Sequence, residues 1–411
     1  MAPFPLPLAD ILGHWGQYVV YLLIGIGFGF ALEMSGFANA PKLAAQFYFK
    51  DMTVLKVMFG AIVTAMVLVF LASAVGLLDY YMVYVNPTFL WPGIVGGLIM
   101  GVGFILGGFC PGTSLVSAAV GKIDGIIFVL GVLFGIFAFG ETVQYFESFW
   151  YSSFMGRFTI PEWLGLPIGI VVVGVVLMAL FMFWGSEQLE RIFGGRDLSK
   201  EPKWRYGAAG VLVSGALLVA FIGQPTTADR WSRMEATEGP RLAERQVQIH
   251  PAELLQTMHD DTLKLTILDV RSEADYNQFH IRDAVHAPMS ALPAMLDDLH
   301  ETPDNEVIVL VGNDEATATE AWKFLRAESV RNLYLLEGGV NNWVRTFGDE
   351  EFLAASSRQG AAEDELAFTF ATALGSKQVM ASPASGLVRQ FDFLPKIVLE
   401  LKRGPGGGGC G

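Results

Sequence analysis

The residues best suited to chemistry lie in a short run of small and polar side chains in the first half of the chain. Cys110 is followed directly by Pro111, Gly112, Thr113 and Ser114. Because proline fits the first turn of a helix, the run predicts a short helix that begins near Pro111 or Gly112. The free N–H groups, positive dipole end and hydroxyls of such a helix suit a small anion beside the Cys110 thiol. The alternative is a buried cysteine among tightly packed, glycine-rich helices.

This run belongs to the second of two similar segments. Residues 25–38 and residues 97–113 both contain Gly-x-Gly-Phe, followed by a break that is Gly-Phe-Ala in one and Gly-Phe-Cys in the other. Interrupted segments at corresponding places in two repeats point to a transport site near the membrane midplane. Glu33, a carboxylate well inside an apolar stretch, is a candidate for proton coupling. The alternative for Glu33 is a helix-end carboxylate that lies near the membrane interface or is hydrogen-bonded to the backbone at the break.

The elements that must position these residues are apolar. Hydrophobic residues make up 52% of the 411-residue chain and charged residues only 17%. Apolar stretches near the ~20 residues of a spanning helix occur at roughly 18–38, 54–78, 93–109, 125–140, 164–184 and 206–223. In a lipid bilayer the backbone must satisfy its own hydrogen bonds, so these stretches predict helices. The predicted fold class is a multi-span α-helical membrane domain with glycine-rich broken-helix repeats, followed by an α/β domain.

Charge and cysteine content exclude several classes of protein. The net charge is −14, of which −12 falls after residue 223, and an acidic chain argues against nucleic acid as a partner. Two cysteines exclude a disulfide scaffold and a zinc-finger array. The histidines show no metal-ligand spacing, and we predict neither a metal nor a cofactor.

Over roughly residues 15–145, the membrane region resembles the YeeE/YedE family of sulfur-compound transport proteins. That family is associated with thiosulfate uptake, and its members carry cysteines at the helix breaks, which are thought to contact the sulfur substrate transiently. Cys110 matches the cysteine of the second break, whereas Ala38 stands where the first break would carry one. The resemblance therefore implies transport of a small sulfur-containing anion similar to thiosulfate, with one of the two contact points absent.

The second half of the chain alternates strand-like and helix-like patterns. Residues 265–270, 306–311 and 333–336 predict strands, and helical patterns lie near 251–259, 290–299 and 315–328. This order predicts a parallel sheet with right-handed crossovers and a site at the carboxyl ends of its strands. The predicted organisation is a membrane domain at 1–225, a linker at 226–245, the α/β domain at 246–349, and a C-terminal extension with a glycine-rich tail at 350–411.

The α/β segment resembles the rhodanese family. The motifs that carry the resemblance are Leu268–Arg271, His280–Ala284 and Leu336–Trp343. The family implies a loop after the central strand, whose N–H groups and a cation lower the pKa of a nucleophilic cysteine. The matching loop here, which we call the rhodanese-like loop, consists of Val311, Gly312, Asn313, Asp314, Glu315, Ala316 and Thr317.

Valine is not a nucleophile, and the carboxylates of Asp314 and Glu315 would repel a sulfur oxyanion. We therefore interpret the domain as a pseudoenzyme that serves binding or regulation, with a partner protein as one candidate ligand. Asp269, Arg271 and His280 fit the role of structural anchors better than that of catalysts.

The second cysteine lies near the end of the sequence. Cys410 follows four consecutive glycines, which make a flexible tether. One hypothesis is a swinging arm on which Cys410 receives sulfur or hands it on. The alternative is a disordered tail with an incidental cysteine.

Three functions follow from these features. The leading one is a transporter of a small sulfur-containing species, and the others are a membrane-anchored scaffold or assembly subunit and a sulfurtransferase that uses Cys410. Lysine and arginine favour the loops after the first, third and fifth apolar stretches, which predicts that those loops are cytoplasmic. We accordingly expect an integral protein of a bacterial inner membrane with its soluble domain in the periplasm.

Overall fold

The structure is a computed structural model, and it describes residues 4–399 apart from 7, 81–82, 84, 196–202, 301, 304, 359, 361, 363, 371–379 and 382. The chain separates into two units, one of which ends at Gln224 while the other begins at Pro225. Cys410, the residue of the swinging-arm hypothesis, lies outside the described residues.

The first unit is helical, as the apolar stretches predict. Within the described residues, six spans are long and apolar enough to cross a membrane: Ile11–Met34, Thr53–Ala74, Leu90–Ala119, Ile123–Trp150, Ile168–Phe193 and Trp204–Ile222. The helices are α1 (Leu8–Met34), α2 (Ala40–Ala44), α3 (Thr53–Ala74), α4 (Leu90–Gly107), α5 (Pro111–Ala119), α6 (Ile123–Thr142), α7 (Glu147–Trp150), α8 (Ile160–Leu164), α9 (Ile168–Phe193) and α10 (Trp204–Ile222). The predicted multi-span membrane domain is therefore confirmed.

Helices α3, α9 and α10 pack against one another in this unit. Their buried contact consists of small and β-branched side chains, among them Val67, Val176 and Val219. At Gly169, an added Cβ atom would lie 2.5 Å from the Cα of Ala220. Only glycine permits this approach of α9 to α10, and small residues at such contacts are how membrane helices gain van der Waals packing.

A buried ion pair joins α3 to α9 near their ends. The Glu190 side chain has no exposed surface, and its Oε2 lies 2.6 Å from Nζ of Lys56. The other carboxylate oxygen accepts a hydrogen bond of 2.6 Å from the backbone N–H of Met52, the residue before α3. Because a carboxylate is favoured at a helix N-terminus, Glu190 stabilises the start of α3 in two ways.

The second unit contains the predicted parallel sheet. Its five strands have the order β1-β6-β5-β2-β4, and every pair is parallel. The strands are β1 (Gln248–Ile249), β2 (Lys264–Asp269), β3 (His280–Ile281), β4 (Ala284–His286), β5 (Glu306–Val311), β6 (Leu333–Leu336) and β7 (Met380–Ala381), of which β3 and β7 pair separately. The helices are α11 (Thr227–Ala243), α12 (Pro251–Thr257), α13 (Glu273–Gln278), α14 (Leu292–His300), α15 (Ala316–Ala327), α16 (Gly339–Phe347) and α17 (Glu350–Ser356).

Each face of the sheet is covered by helices. Trp322 of α15 and Leu292 of α14 are buried on one face, and Trp343 of α16 and Leu254 of α12 are buried on the other. The central strand β5 is buried along its whole length. Such burial explains the continuous apolar run Val307–Val311, because a strand covered on both faces needs no polar alternation.

Two segments at the edges of the α/β region differ from the sequence-based expectation. Residues 226–245, assigned above to a linker, contain α11 (Thr227–Ala243), whose Glu238 pairs with the nearly buried Arg326 of α15 at 2.9 Å. The C-terminal extension also packs on the sheet domain, since Leu366 and Phe368 are 1% and 3% exposed within its core. Both segments are parts of the α/β unit, because they complete its hydrophobic surface and pair its buried charges.

Candidate functional site

The membrane helix at Cys110 is broken as the sequence predicts. Helix α4 ends at Gly107, Gly108 adopts the left-handed conformation with φ of 72°, and α5 begins at Pro111. Cys110 is the N-terminal cap of α5, and its Sγ accepts a hydrogen bond of 3.4 Å from the backbone N–H of Thr113. The reciprocal bond, from the Cys110 N–H to Oγ1 of Thr113, is 3.0 Å long.

The hydroxyls of the predicted site have different roles. Oγ1 of Thr113 lies 3.3 Å from Sγ of Cys110, so the structure brings these two groups together. Ser114 is fully buried, and its hydroxyl donates to the carbonyl oxygen of Pro111 at 2.7 Å. Cys110 and Gly112 are partly accessible and Pro111 is exposed. The accessible face of the second break therefore includes Cys110 and the first residues of α5.

The first break has the same backbone conformation as the second. Helix α1 ends at Met34, Gly36 has φ of 77°, and α2 begins at Ala40. Gly36 and Gly108 occupy corresponding places in the two repeated segments, and only glycine adopts this conformation without strain. The repeat seen in the sequence therefore corresponds to a repeated backbone turn.

The two breaks pack against each other. Phe37 follows the first glycine and Phe109 follows the second, and both rings are buried in one cluster with Leu43. An added Cβ atom on Gly108 would lie 3.1 Å from the Cβ of Ala40. The position that lacks the family's cysteine, Ala38, is itself buried at 2% exposure.

Two lysines at the first break were not among the predicted site residues. Nζ of Lys42 donates to the carbonyl oxygen of Ser35, and Nζ of Lys122 donates to that of Ala38, each at 2.8 Å. These carbonyls follow the end of α1, where positive charge is favourable. In the sequence, these two lysines lie in basic loops that predict orientation, and their proximity to the glycine-rich breaks is also a usable sign of an anion site.

Glu33 lies apart from this arrangement. It is the penultimate residue of α1, and its side chain is exposed, whereas the neighbouring Leu32 packs in the cluster with Phe109. The structure therefore does not bring the Glu33 carboxylate into the buried cluster at the breaks.

In the rhodanese-like loop, an aliphatic side chain occupies the position at which the rhodanese family carries its nucleophilic cysteine. Val311 ends β5 and is fully buried. The next two carbonyl oxygens, of Gly312 and Asn313, accept hydrogen bonds of 2.9 and 3.0 Å from the N–H groups of Val340 and Asn341 at the start of α16. The loop backbone is thus tied to the neighbouring helix.

Both loop carboxylates are engaged by protein groups. Oδ1 of Asp314 accepts a hydrogen bond of 2.8 Å from the N–H of Ala316. Oε1 of Glu315 accepts one of 2.8 Å from the N–H of Gly338 and another of 2.7 Å from Arg245. The bond to Glu315 raises the pKa of the Arg245 guanidinium above its ordinary value, so this guanidinium stays positively charged.

The buried Arg271 side chain contacts the rhodanese-like loop and helps to position it. Its guanidinium and the Asp269 carboxylate are 1% and 0% exposed and lie 2.6 Å apart. The same guanidinium donates to Oδ1 of Asn313 at 3.3 Å and to the carbonyl oxygen of Phe279 at 2.7 Å. Burial and the nearby Asp269 charge raise the pKa of Tyr276, whose ring stacks on His280. These contacts give Asp269, Arg271 and His280 roles in the framework of the domain.

Metal-binding geometry is absent from the part of the chain that the structure describes. In that part, no group of three histidine, cysteine, aspartate or glutamate side chains lies close enough to hold a metal ion.

These features define a membrane protein with two domains. The first is a multi-span helical domain with two broken helices. The second is a parallel-sheet domain in which a loop follows the central strand. Residues 34–238 match the sulphur transport family, and residues 250–346 match the rhodanese-like domain family. The chain therefore carries a sulphur transport domain of the YeeE/YedE type and a rhodanese-like domain, as both resemblances imply.

A curated relative matches the chain in part. The thiosulfate transporter TsuA of Spirochaeta thermophila is 27% identical over 218 residues, which cover 49% of this chain and 61% of that protein. The chain therefore spans less than two thirds of the length of this relative. No solved structure matches the chain.

Proposed function

We propose that this chain transports a small sulfur-containing anion similar to thiosulfate across a bacterial inner membrane. The observation that carries the proposal is the Cys110 thiol at the N-terminal cap of α5, in a helix break packed against its repeat. The name of the TsuA relative supports thiosulfate as the kind of substrate.

The geometry suits such an anion in two ways. The positive dipole end of α5 faces the break, which favours negative charge there. Lys42 and Lys122 add positive charge at the first break. Sγ of Cys110 is a polarisable atom for contact with the terminal sulfur of the substrate. Together these groups would recognise an anion that has an oxygen-rich end and a soft sulfur end.

In this proposal the rhodanese-like domain is non-catalytic and serves binding or regulation. The sequence between residues 246 and 349 contains no cysteine. The loop that holds the nucleophile in a rhodanese begins here with the buried Val311 and has both its carboxylates bound within the protein. A thiolate nucleophile is required for sulfur transfer, so this loop alone does not provide that chemistry.

Uptake by the purified protein tests the proposal. We expect proteoliposomes with the full chain to accumulate ³⁵S-thiosulfate, and empty liposomes and ³⁵S-sulfate give the background. We also expect no cyanide-dependent formation of thiocyanate. An absence of uptake would favour the scaffold alternative, and thiocyanate formation that is lost in Cys410→Ser would favour the sulfurtransferase.

We further propose that the rhodanese-like domain lies in the periplasm. The excess of lysine and arginine in the loops after the first, third and fifth apolar stretches supports this placement. In a Cys110→Ala, Cys410→Ser background, Glu320→Cys places a reporter thiol at a position whose side chain is 65% exposed. We expect a membrane-impermeant maleimide to label it in cells with a permeabilised outer membrane. Arg191→Cys, an exposed position at the end of α9, is the expected unlabelled control. The reverse labelling pattern would place the domain in the cytoplasm.

A further inference from the structure

A carboxylate from the C-terminal extension lies on the rhodanese-like loop. Oδ1 of Asp364 accepts a hydrogen bond of 3.2 Å from the backbone N–H of Asp314. Oδ2 accepts one of 3.2 Å from the N–H of Thr317, and it also accepts the Thr317 hydroxyl. Asp364 thus binds the N-terminus of α15, a 12-residue helix whose dipole favours negative charge there.

The contact is reciprocal. The backbone N–H of Asp364 donates to Oδ2 of Asp314 at 2.6 Å, and Nδ2 of Asn313 donates to the carbonyl oxygen of Asp364 at 2.9 Å. Asp364 also has φ of 62°, a conformation that few residues other than glycine adopt. The loop therefore binds the backbone and the side chain of one residue, which lies about 50 positions further along the chain.

Neighbouring residues fix the register of this contact. Leu366 and Phe368 are buried in the core of the domain. Between them, the N–H of Ala367 donates to Oδ1 of Asn341 at 2.7 Å. Nδ2 of Asn341 in turn donates to the carbonyl oxygen of Glu365 at 2.9 Å. With these anchors in place, the Asp364 carboxylate stays at the loop at a high effective concentration.

We propose that the N-terminus of α15 is a carboxylate-binding site, and that this chain occupies it with its own Asp364. The two loop carboxylates leave the N–H groups of Asp314 and Thr317 to Asp364. Glu315 faces Gly338 and Arg245, and within the described residues Asp314 accepts only the N–H of Ala316, the first residue of α15, and that of Asp364 itself. The extension therefore closes the loop to anions from solution. This deepens the non-catalytic role proposed above, since the position next to the missing nucleophile already holds a ligand from the chain itself.

Hydrogen exchange of the full chain in lipid nanodiscs tests this contact. In Asp364→Ala, we expect the amides of the loop, among them Asp314 and Thr317, to exchange about tenfold faster, which corresponds to ~1.4 kcal/mol of lost protection. Asp349→Ala is the matched control, because Asp349 also caps a helix of the extension, through the N–H of Phe352, but does not contact the loop. Unchanged exchange at the loop in Asp364→Ala would overturn the proposal.

Addition of formate to the Asp364→Ala protein distinguishes two explanations. Either the loop has a binding site for a carboxylate, or Asp364 only holds the extension against the loop. We expect formate, but not chloride at equal ionic strength, to restore slow exchange at the loop, because it supplies a carboxylate to the vacated N–H groups. Fast exchange that formate does not restore would overturn the carboxylate-site assignment. Unchanged exchange in β5 verifies the fold, and Asp364→Asn is the second variant if the alanine protein unfolds. None of these readouts depends on uptake, so failure of the transport proposal would be seen separately.

Discussion

Replacement of Cys110 by alanine should reduce ³⁵S-thiosulfate uptake by about 10- to 100-fold, the cost expected for the loss of one charge-assisted contact of ~1.5–3 kcal/mol. The change removes the soft atom that the substrate's terminal sulfur would contact. It also removes the acceptor for the Thr113 N–H, so the alanine variant alone would mix substrate binding with helix capping.

Cys110→Ser separates these two effects. Serine is among the preferred N-cap residues, so its hydroxyl keeps the bond to Thr113 while the sulfur atom is lost. We expect uptake by the serine variant to fall nearly as far as in the alanine variant, with both proteins monodisperse in detergent. Uptake by the serine variant at the level of the unchanged protein would show that Cys110 is only a helix cap. Thr64→Val, at an exposed helical hydroxyl, controls for a generic change in the membrane unit.

The largest expected effect on stability is at Arg271. In Arg271→Met, the Asp269 carboxylate remains buried without its partner, and the Phe279 carbonyl and Asn313 lose a donor. Breaking such a pair costs about 3–5 kcal/mol, so the urea midpoint of the rhodanese-like domain should fall markedly. Pulse proteolysis of the full chain in nanodiscs, with a readout on the α/β fragment, measures the change.

Two further variants make the Arg271 prediction specific. Arg282→Met alters an exposed arginine of the same domain and should change stability by less than about 0.5 kcal/mol. In Asp269→Leu with Arg271→Met, no charge remains unpaired, so the loss should be smaller than for Arg271→Met alone. A loss below about 1 kcal/mol in Arg271→Met would mean that the pair behaves as a surface ion pair.

Local patterns in the sequence predict much of this architecture. Runs such as Val307–Val311 determine a buried strand, and the Gly-Phe-Cys-Pro run determines both the end of α4 and the start of α5. Both features depend on residues within one turn or one strand of each other. The edge strands β1 and β4 were not predicted, because pairing with a neighbour stabilises two or three residues whose own composition is not strand-like.

Contacts between distant segments could not be predicted in the same way. The bond from Lys122 to Ala38 joins residues 84 positions apart, and Asp364 meets the loop from 50 positions away. Nothing in the local pattern around Asp364 distinguishes it from the other carboxylates of the acidic extension. Helix α11 was taken for a linker because its burial depends on α15, whose position the sequence does not specify.

The path of the C-terminal extension has a consequence for the order in which the protein forms during synthesis. The N–H groups of Lys396 and Ile397 donate to the buried Glu253 carboxylate, and the Val398 backbone bonds the Tyr334 hydroxyl. The ribosome must therefore add 143 residues after Glu253 before that carboxylate can gain the first of these partners. Domains otherwise tend to fold as units while the chain emerges. In this domain the bonds at that edge can form only when nearly all of the extension has been translated, after the six candidate membrane helices of the described residues.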